Sequence, residues 1–263
     1  MKPDLDFAYA QARIQARFAA LPQEAEWQRL AASRTLASFL EDARAGSLRD
    51  WVKGFSSQSG VHDLEAGIRS LHRENLEEIT GLVPATWREA VSWVRWLVLL
   101  PLLAHLQTGG KVPGWARGDP LVQALTVGEG ELDMRRLKDA GAQSFLESEG
   151  GLVAVWIAEW HRRWPRCSSE ASRALEALRD LLMAHLDAFP EAPPESAWRL
   201  RGELREILRL RFHRQVLQPV VPFIYLALLT LDLERLRAAL VTRALFPEQD
   251  EPAWPQTGGR AAA

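Results

Sequence analysis

Residues 222–246 read PFIYLALLTLDLERLRAALVTRALF. Leu226, Leu229, Leu233, Leu236 and Leu240 recur at alternating steps of three and four, the period of one stripe on a helix. Pro222 suits a first helical turn, where its missing N–H removes no bond. The pattern predicts a long helix over 222–246, buried along its leucine stripe. Asp232, Glu234, Arg235 and Arg237 fall off the stripe. Their spacing predicts pairs within the helix, Asp232 with Arg235 and Glu234 with Arg237, worth only a few tenths of a kcal/mol each.

The same period extends outward along most of the chain. Residues 7–21 put Phe7, Ile14, Phe18 and Leu21 on one face. A second helix is expected from Glu24 towards Gly46, with Trp27, Leu30 and Leu36 inward. A third begins at Asp63 and places Leu64, Ile68, Leu71 and Ile79 at helical spacing before a stop near Gly81. Further helices are expected over 86–106, 152–164, 169–189 and 195–217, with short ones at 120–125 and 131–140. Pro101 lies inside the 86–106 pattern and predicts a kink or break within about four residues upstream, because it removes a donor and crowds the preceding turn. No segment reads as a convincing strand.

The expected class is therefore all-α, about ten helices in packed bundles. Residues 1–246 read as one helical domain, with internal seams at the Gly-rich run 108–118 and the Pro-rich run 190–194. Residues 247–263 carry no apolar period, and a disordered tail is expected there.

Composition narrows the chemistry. The 263 residues are 47% hydrophobic and 25% charged, enough apolar content to bury a sizeable core. A net charge of −2 gives no global pull towards nucleic acid or anionic lipid, and no nucleic-acid motif occurs. One cysteine excludes a disulfide scaffold and a cysteine metal cluster. The first residues, Met-Lys-Pro-Asp-Leu-Asp, lack the apolar core of a secretory signal, so a cytoplasmic location is expected. Two segments are strongly apolar, 91–106 and 216–233. The first carries Arg95, and the second carries Gln218, Pro219, Pro222 and Asp232. Both read as buried helices rather than membrane spans.

Catalytic and cofactor signatures are missing. The six histidines fall on different segments, with no HExxH or ExxH pair. There is no phosphate-cradling glycine loop with its Lys-Ser/Thr, no GxSxG elbow and no aspartate-rich pair for magnesium. The expectation is no catalytic residue, no cofactor and no metal. Two features remain as candidate contact surfaces. Trp156, Trp160 and Trp164 fall at i, i+4 and i+8, and Trp93 and Trp96 repeat this on a smaller scale. Such ridges serve either as core or as interface anchors. The basic residues are nearly all arginine, and Arg201, Arg205 and Arg209 form a stripe beside Leu200, Leu204 and Leu208. With Arg13, Arg17, Arg235 and Arg237 they are the candidate interaction residues, since the guanidinium fork suits acidic surfaces.

Two stretches carry a family resemblance. Tyr9-Ala10-Gln11-Ala12-Arg13-Ile14 looks like the Y-A-x-A-R-[VI] opening of the C-type coupling subunits of V-type and archaeal-type rotary ATPases, a family whose eukaryotic members are termed d-type. Pro222-Phe-Ile-Tyr225, followed by Asp232-Leu-Glu234-Arg235-Leu-Arg237, is similar to that family's last long helix. The chain is short for the family, so a trimmed bundle is expected. The resemblance implies an all-α funnel of related helical bundles and no active site. It implies a coupling role between the central stalk and the membrane ring of proton- or sodium-carrying subunits. Its partners would be other rotary-ATPase subunits, with no nucleic acid and no membrane span of its own. Its place would be peripheral, on the cytoplasmic face of the membrane. Two other readings stay open: an all-α enzyme with a Trp-lined apolar pocket, and a general helical scaffold that binds another protein.

Overall fold

The computed structural model describes residues 7–128, 131–147 and 151–246. The chain is 75% helical with 2% strand. In order, the helices are α1 (Ala8–Ala19), α2 (Glu24–Ala31), α3 (Leu36–Arg44), α4 (Arg49–Val52) and α5 (Val61–Leu82). Then come α6 (Arg88–Ser92), α7 (Leu100–Gln107), α8 (Pro120–Leu125), α9 (Met134–Asp139), α10 (Ser144–Glu147) and α11 (Leu152–Arg162). Three long helices close the order, α12 (Ser169–Glu191), α13 (Ala197–Arg214) and α14 (Val221–Leu245). The all-α expectation is met. The helix expected from Glu24 towards Gly46 is instead two, α2 and α3, with Thr35 capping the second, and there is a minimal antiparallel strand pair, β1 (Thr126–Val127) with β2 (Glu131–Leu132), in register Thr126 to Leu132. It takes the first turn of the charged helix expected over 131–140. Asp133 follows it and caps α9, accepting from the N–H groups of Arg135 (2.9 Å) and Arg136 (3.3 Å).

The described residues form two compact units, 7–85 with 167–246, and 86–166. Their boundaries fall at 85/86 and 166/167. The run 108–118 therefore lies inside the second unit and the run 190–194 inside the first. The expected disordered tail, 247–263, lies outside the described residues.

In the first unit α14 is the central element, packed against α1, α3, α5 and α13. Its leucine stripe is buried as the period predicts, with Leu226, Leu229, Leu233, Leu236 and Leu240 all within a few per cent of full burial. Phe223, Ile224, Tyr225 and Leu228 are buried too, so the first half of the helix is enclosed on every side. That is the environment an all-round apolar helix needs. Each fully buried Leu or Phe side chain contributes about 1.5–3 kcal/mol relative to exposure. The stripe of α5 (Leu64, Ile68, His72, Leu76, Ile79) is likewise buried. This helix starts two residues before the expected Asp63. The Asp63 carboxylate instead reaches back to accept from the Gly60 N–H at 3.2 Å. Thr35 and Ser38 close a reciprocal capping box at the start of α3, and Ser168 caps α12 through the Ala171 N–H.

The second unit is cemented by tryptophan. The Trp93 indole donates to the Trp156 carbonyl at 3.0 Å, and the Trp156 indole donates to the Trp93 carbonyl at 3.3 Å. This reciprocal pair joins the 93–99 segment to α11. Phe145 of α10 stacks on Trp93 at 5.4 Å, and Trp160 stacks on Trp156 at 5.7 Å. The Pro101 expectation is met with a specific geometry. Residues Trp93–Leu99 tighten into a 3-10 helix, and α7 restarts at Leu100 with the proline in its first turn. Proline has no N–H for the Leu97 carbonyl, and that carbonyl is met one residue earlier by the Leu100 N–H.

Candidate functional site

The arginines singled out by sequence are mostly tied down inside the first unit. Arg205 of α13 is buried and makes a two-pronged pair with Asp232 of α14, at 3.0 and 3.4 Å. The same guanidinium donates to the Pro22 carbonyl at 2.7 Å, before α2. Arg235 is held by both carboxylate oxygens of Glu24 (2.7 and 3.0 Å) and lies 4.9 Å over the Trp27 ring. Arg237 pairs with Glu65 of α5 at 2.8 Å. Arg201 pairs with Glu234 at 2.8 Å and packs over Phe189 and Trp198. Arg209 donates to the Gln23 side chain at 3.2–3.3 Å. Arg17 of α1 pairs with Glu78 of α5.

This corrects the expected pairing along α14. Asp232 and Glu234 turn to Arg205 and Arg201 of α13, while Arg235 and Arg237 turn to Glu24 and Glu65. Each partner lies on another element, because α14 is surrounded and its charges meet neighbouring helices before they meet their own. Arg13 alone of the seven is exposed with no hydrogen bond or ion pair recorded among the described residues. It shares the outer face of α1 with Tyr9, which is 65% exposed, while Ala10, Gln11 and Ile14 turn into the core.

Sequence reasoning missed Arg243. It is buried near the end of α14, donates to the Ser33 carbonyl at 2.7 and 2.9 Å, and lies 4.6 Å over Phe39. The Leu30 carbonyl lies 3.4 Å away. Leu30 lies in the last turn of α2 and Ser33 just beyond its end, and a cation there complements the helix dipole. The signal is present in the sequence: Arg243 continues the 3–4 alternation after Leu236 and Leu240.

Burial and charge set the titration of the site. Burial pushes the Asp232 carboxyl above its ordinary value, against the pull of Arg205, Arg235 and the Trp27 indole. Burial likewise raises Tyr225 to about 12. His72 in the α5 stripe is 2% exposed, and neither ring nitrogen has a hydrogen-bond partner among the described residues. Desolvation lowers its pKa to about 4, so it is neutral at pH 7. Solvated or hydrogen-bonded histidines are the ordinary expectation; this one is neither.

The tryptophan ridge serves as core. Trp156 and Trp160 are buried, and Trp164 meets Trp160 edge-on at 4.9 Å. Arg163 lies 3.7 Å over Trp93 and is paired with Glu159. Partial burial alone would raise the Glu159 carboxyl, but hydrogen bonds from Arg163 and Arg162 outweigh it and hold the group below its ordinary value.

Among the described residues no group of three or more His, Cys, Asp or Glu is placed to hold a metal ion. A cavity bounded by Trp27, Leu30, Phe39, Arg235, Ala239 and Arg243 offers about 10 Å³, room for roughly one water. The helical run Ala85–Gln107 is long and apolar enough to cross a membrane by length and composition, although 44% of its most apolar window is buried within the protein. No family model matches the chain, and no curated protein matches it.

Proposed function

We propose that the protein is a non-catalytic helical adapter, and that its place is the coupling subunit of a rotary V-type ATPase, between the central stalk and the membrane ring. The observation that carries this reading is how the Tyr9–Ile14 motif divides on α1. Ala10 and Ile14 are fully buried, whereas Tyr9 and Arg13 present an aromatic and a cation one turn apart to solvent. An exposed aromatic beside an exposed arginine is the chemistry of an interface anchor.

The bracing of the first unit supports the same reading. Arg205, Arg235 and Arg243 each join segments more than two dozen residues apart in sequence. A densely packed, cross-braced body resists deformation, which a part transmitting force between partners needs. In this reading the protein sits peripherally on the cytoplasmic face. The run Ala85–Gln107 then serves as an interior segment, with Trp93, Trp96, Leu99, Leu102 and Leu103 buried.

A general protein-binding scaffold is the second reading. Ile207 and Leu210, exposed along α13, and Val216, exposed just beyond its end, favour it. An enzyme with a Trp-lined pocket has less support, because Trp93, Trp96, Trp156 and Trp160 fill one another's space.

The test is a pull-down with the variant Tyr9→Ala/Arg13→Glu. Both side chains are exposed, so the melting temperature should stay within about 2 °C of wild type. The proposal expects recovery of central-stalk subunits to fall at least tenfold. Unchanged recovery removes this face from the interface.

A further inference from the structure

The second unit holds a pair of neighbouring guanidiniums whose charges are unequally met. Arg163 lies on the Trp93 ring and is paired with Glu159 and, at 3.6 Å, with Glu89. Arg95 lies 5.4 Å from the Trp96 ring centre and has no carboxylate partner among the described residues. The two side chains converge on consecutive carbonyls where the chain leaves α9. Arg95 Nη2 reaches the Ala140 oxygen and Arg163 Nη2 the Gly141 oxygen, each a long contact of 3.5 Å. Gly141 has φ +71°, and a Cβ there would come within 2.9 Å of Arg163 Nη2. The left-handed backbone there favours glycine.

Arg95 is therefore half-buried, beside a like charge, with most of its donors unused. Its Nε–H is buried with no acceptor among the described residues. A guanidinium carries five donors in a fixed fork that fits the oxygen pair of a carboxylate or phosphate. Burial, and secondarily the charge of Arg163, lower the Arg95 pKa, so the cation stands at a disadvantage until an anion offsets it. In the first unit, by contrast, Arg205 and Arg235 each hold both oxygens of a carboxylate.

We propose that Arg95, beside Arg163 at the turn after α9, is a binding position for a small oxyanion, a phosphate or a carboxylate. The ligand supplies the acceptor atoms that the fold provides to Arg205 and Arg235. It ties the 93–99 segment to the α9 turn and stabilises the second unit.

The test uses the full-length protein. Thermal and urea unfolding are followed by tryptophan fluorescence, which reports mainly on this unit because it holds most of the tryptophans. Sodium phosphate, sodium acetate and sodium chloride are compared at equal ionic strength and pH 7. At an anion concentration ten times its Kd, the folding equilibrium constant should rise about elevenfold over the chloride value. The acetate arm separates a carboxylate site from a phosphate site: a response to phosphate alone assigns phosphate, and a response to both assigns a general oxyanion position. Arg95→Met should abolish the response. It should also match or exceed wild-type stability in chloride, because it removes a charge that lacks a partner. The exposed neighbour substitution Arg88→Met should keep the full response. Three outcomes overturn the proposal: no anion response in wild type, an equal response in Arg95→Met, or an Arg95→Met protein less stable than wild type in chloride.

Discussion

His72 makes stability depend on pH between its unfolded and folded pKa values. Its pKa falls from 6.5 in the unfolded chain to about 4 in the folded protein. Above pH 6.5 both states hold it neutral, and the stability is fully present. As pH falls below 6.5 the unfolded chain takes up a proton that the folded protein refuses, so stability is lost progressively until about pH 4. Below that pH both states are protonated and the loss stops. At 1.36 kcal/mol per pKa unit the total is about 3 kcal/mol. The assay is urea denaturation of wild type and His72→Leu at intervals from pH 7.5 to pH 4, taking the difference between the two proteins. Subtraction removes the carboxylates common to both. These include Glu159, whose lowered pKa costs stability only at more acid pH, and Asp232, whose raised pKa has the opposite sign, stability falling as pH rises through it. At pH 7 the leucine variant should equal or exceed wild type by about 1 kcal/mol, since it replaces two unsatisfied buried nitrogens with apolar atoms. Its advantage should then grow by about 3 kcal/mol on going to pH 4. A difference that stays flat across this range would refute the reasoning, because it would mean that the imidazole titrates alike in both states.

The Arg205–Asp232 pair and the Glu24–Arg235 contact give two further predictions. Asp232→Asn leaves Arg205 buried without its counter-charge and should cost about 3–5 kcal/mol in equilibrium unfolding, whereas the double change Asp232→Leu/Arg205→Met should cost less than the single one. Arg235→Glu should cost about 2 kcal/mol, because it removes charged hydrogen bonds and sets a carboxylate against Glu24 over the Trp27 ring; a cost under about 0.5 kcal/mol would show that the contact holds nothing.

The helices were legible because burial imposes a period. The 226–240 leucine series, the Phe7–Leu21 face and the break before Pro101 all follow from local rules acting within a few residues. The charges were not legible for the opposite reason. Arg235 finds Glu24 and Arg243 finds Ser33 across more than 200 residues of chain, a choice made by helix packing. Local spacing could only offer partners on the same helix, and a buried central helix gives its charges better ones. Two residues could have been flagged. His72 falls four residues after Ile68 on the α5 stripe, and Arg243 three after Leu240 on the α14 stripe. A polar side chain at a core register position marks a buried group whose partners must be sought elsewhere. The exposure of Tyr9 and Arg13 was partly readable too, since both lie away from the Ile14–Phe18 face.

The most direct measurement is affinity purification of the tagged full-length protein from its own cells, with the bound proteins identified by mass spectrometry. The adapter account predicts that central-stalk and membrane-ring subunits of a rotary ATPase are recovered in stoichiometric amounts with the wild-type chain. Recovery of the intact protein with no rotary subunit would contradict it.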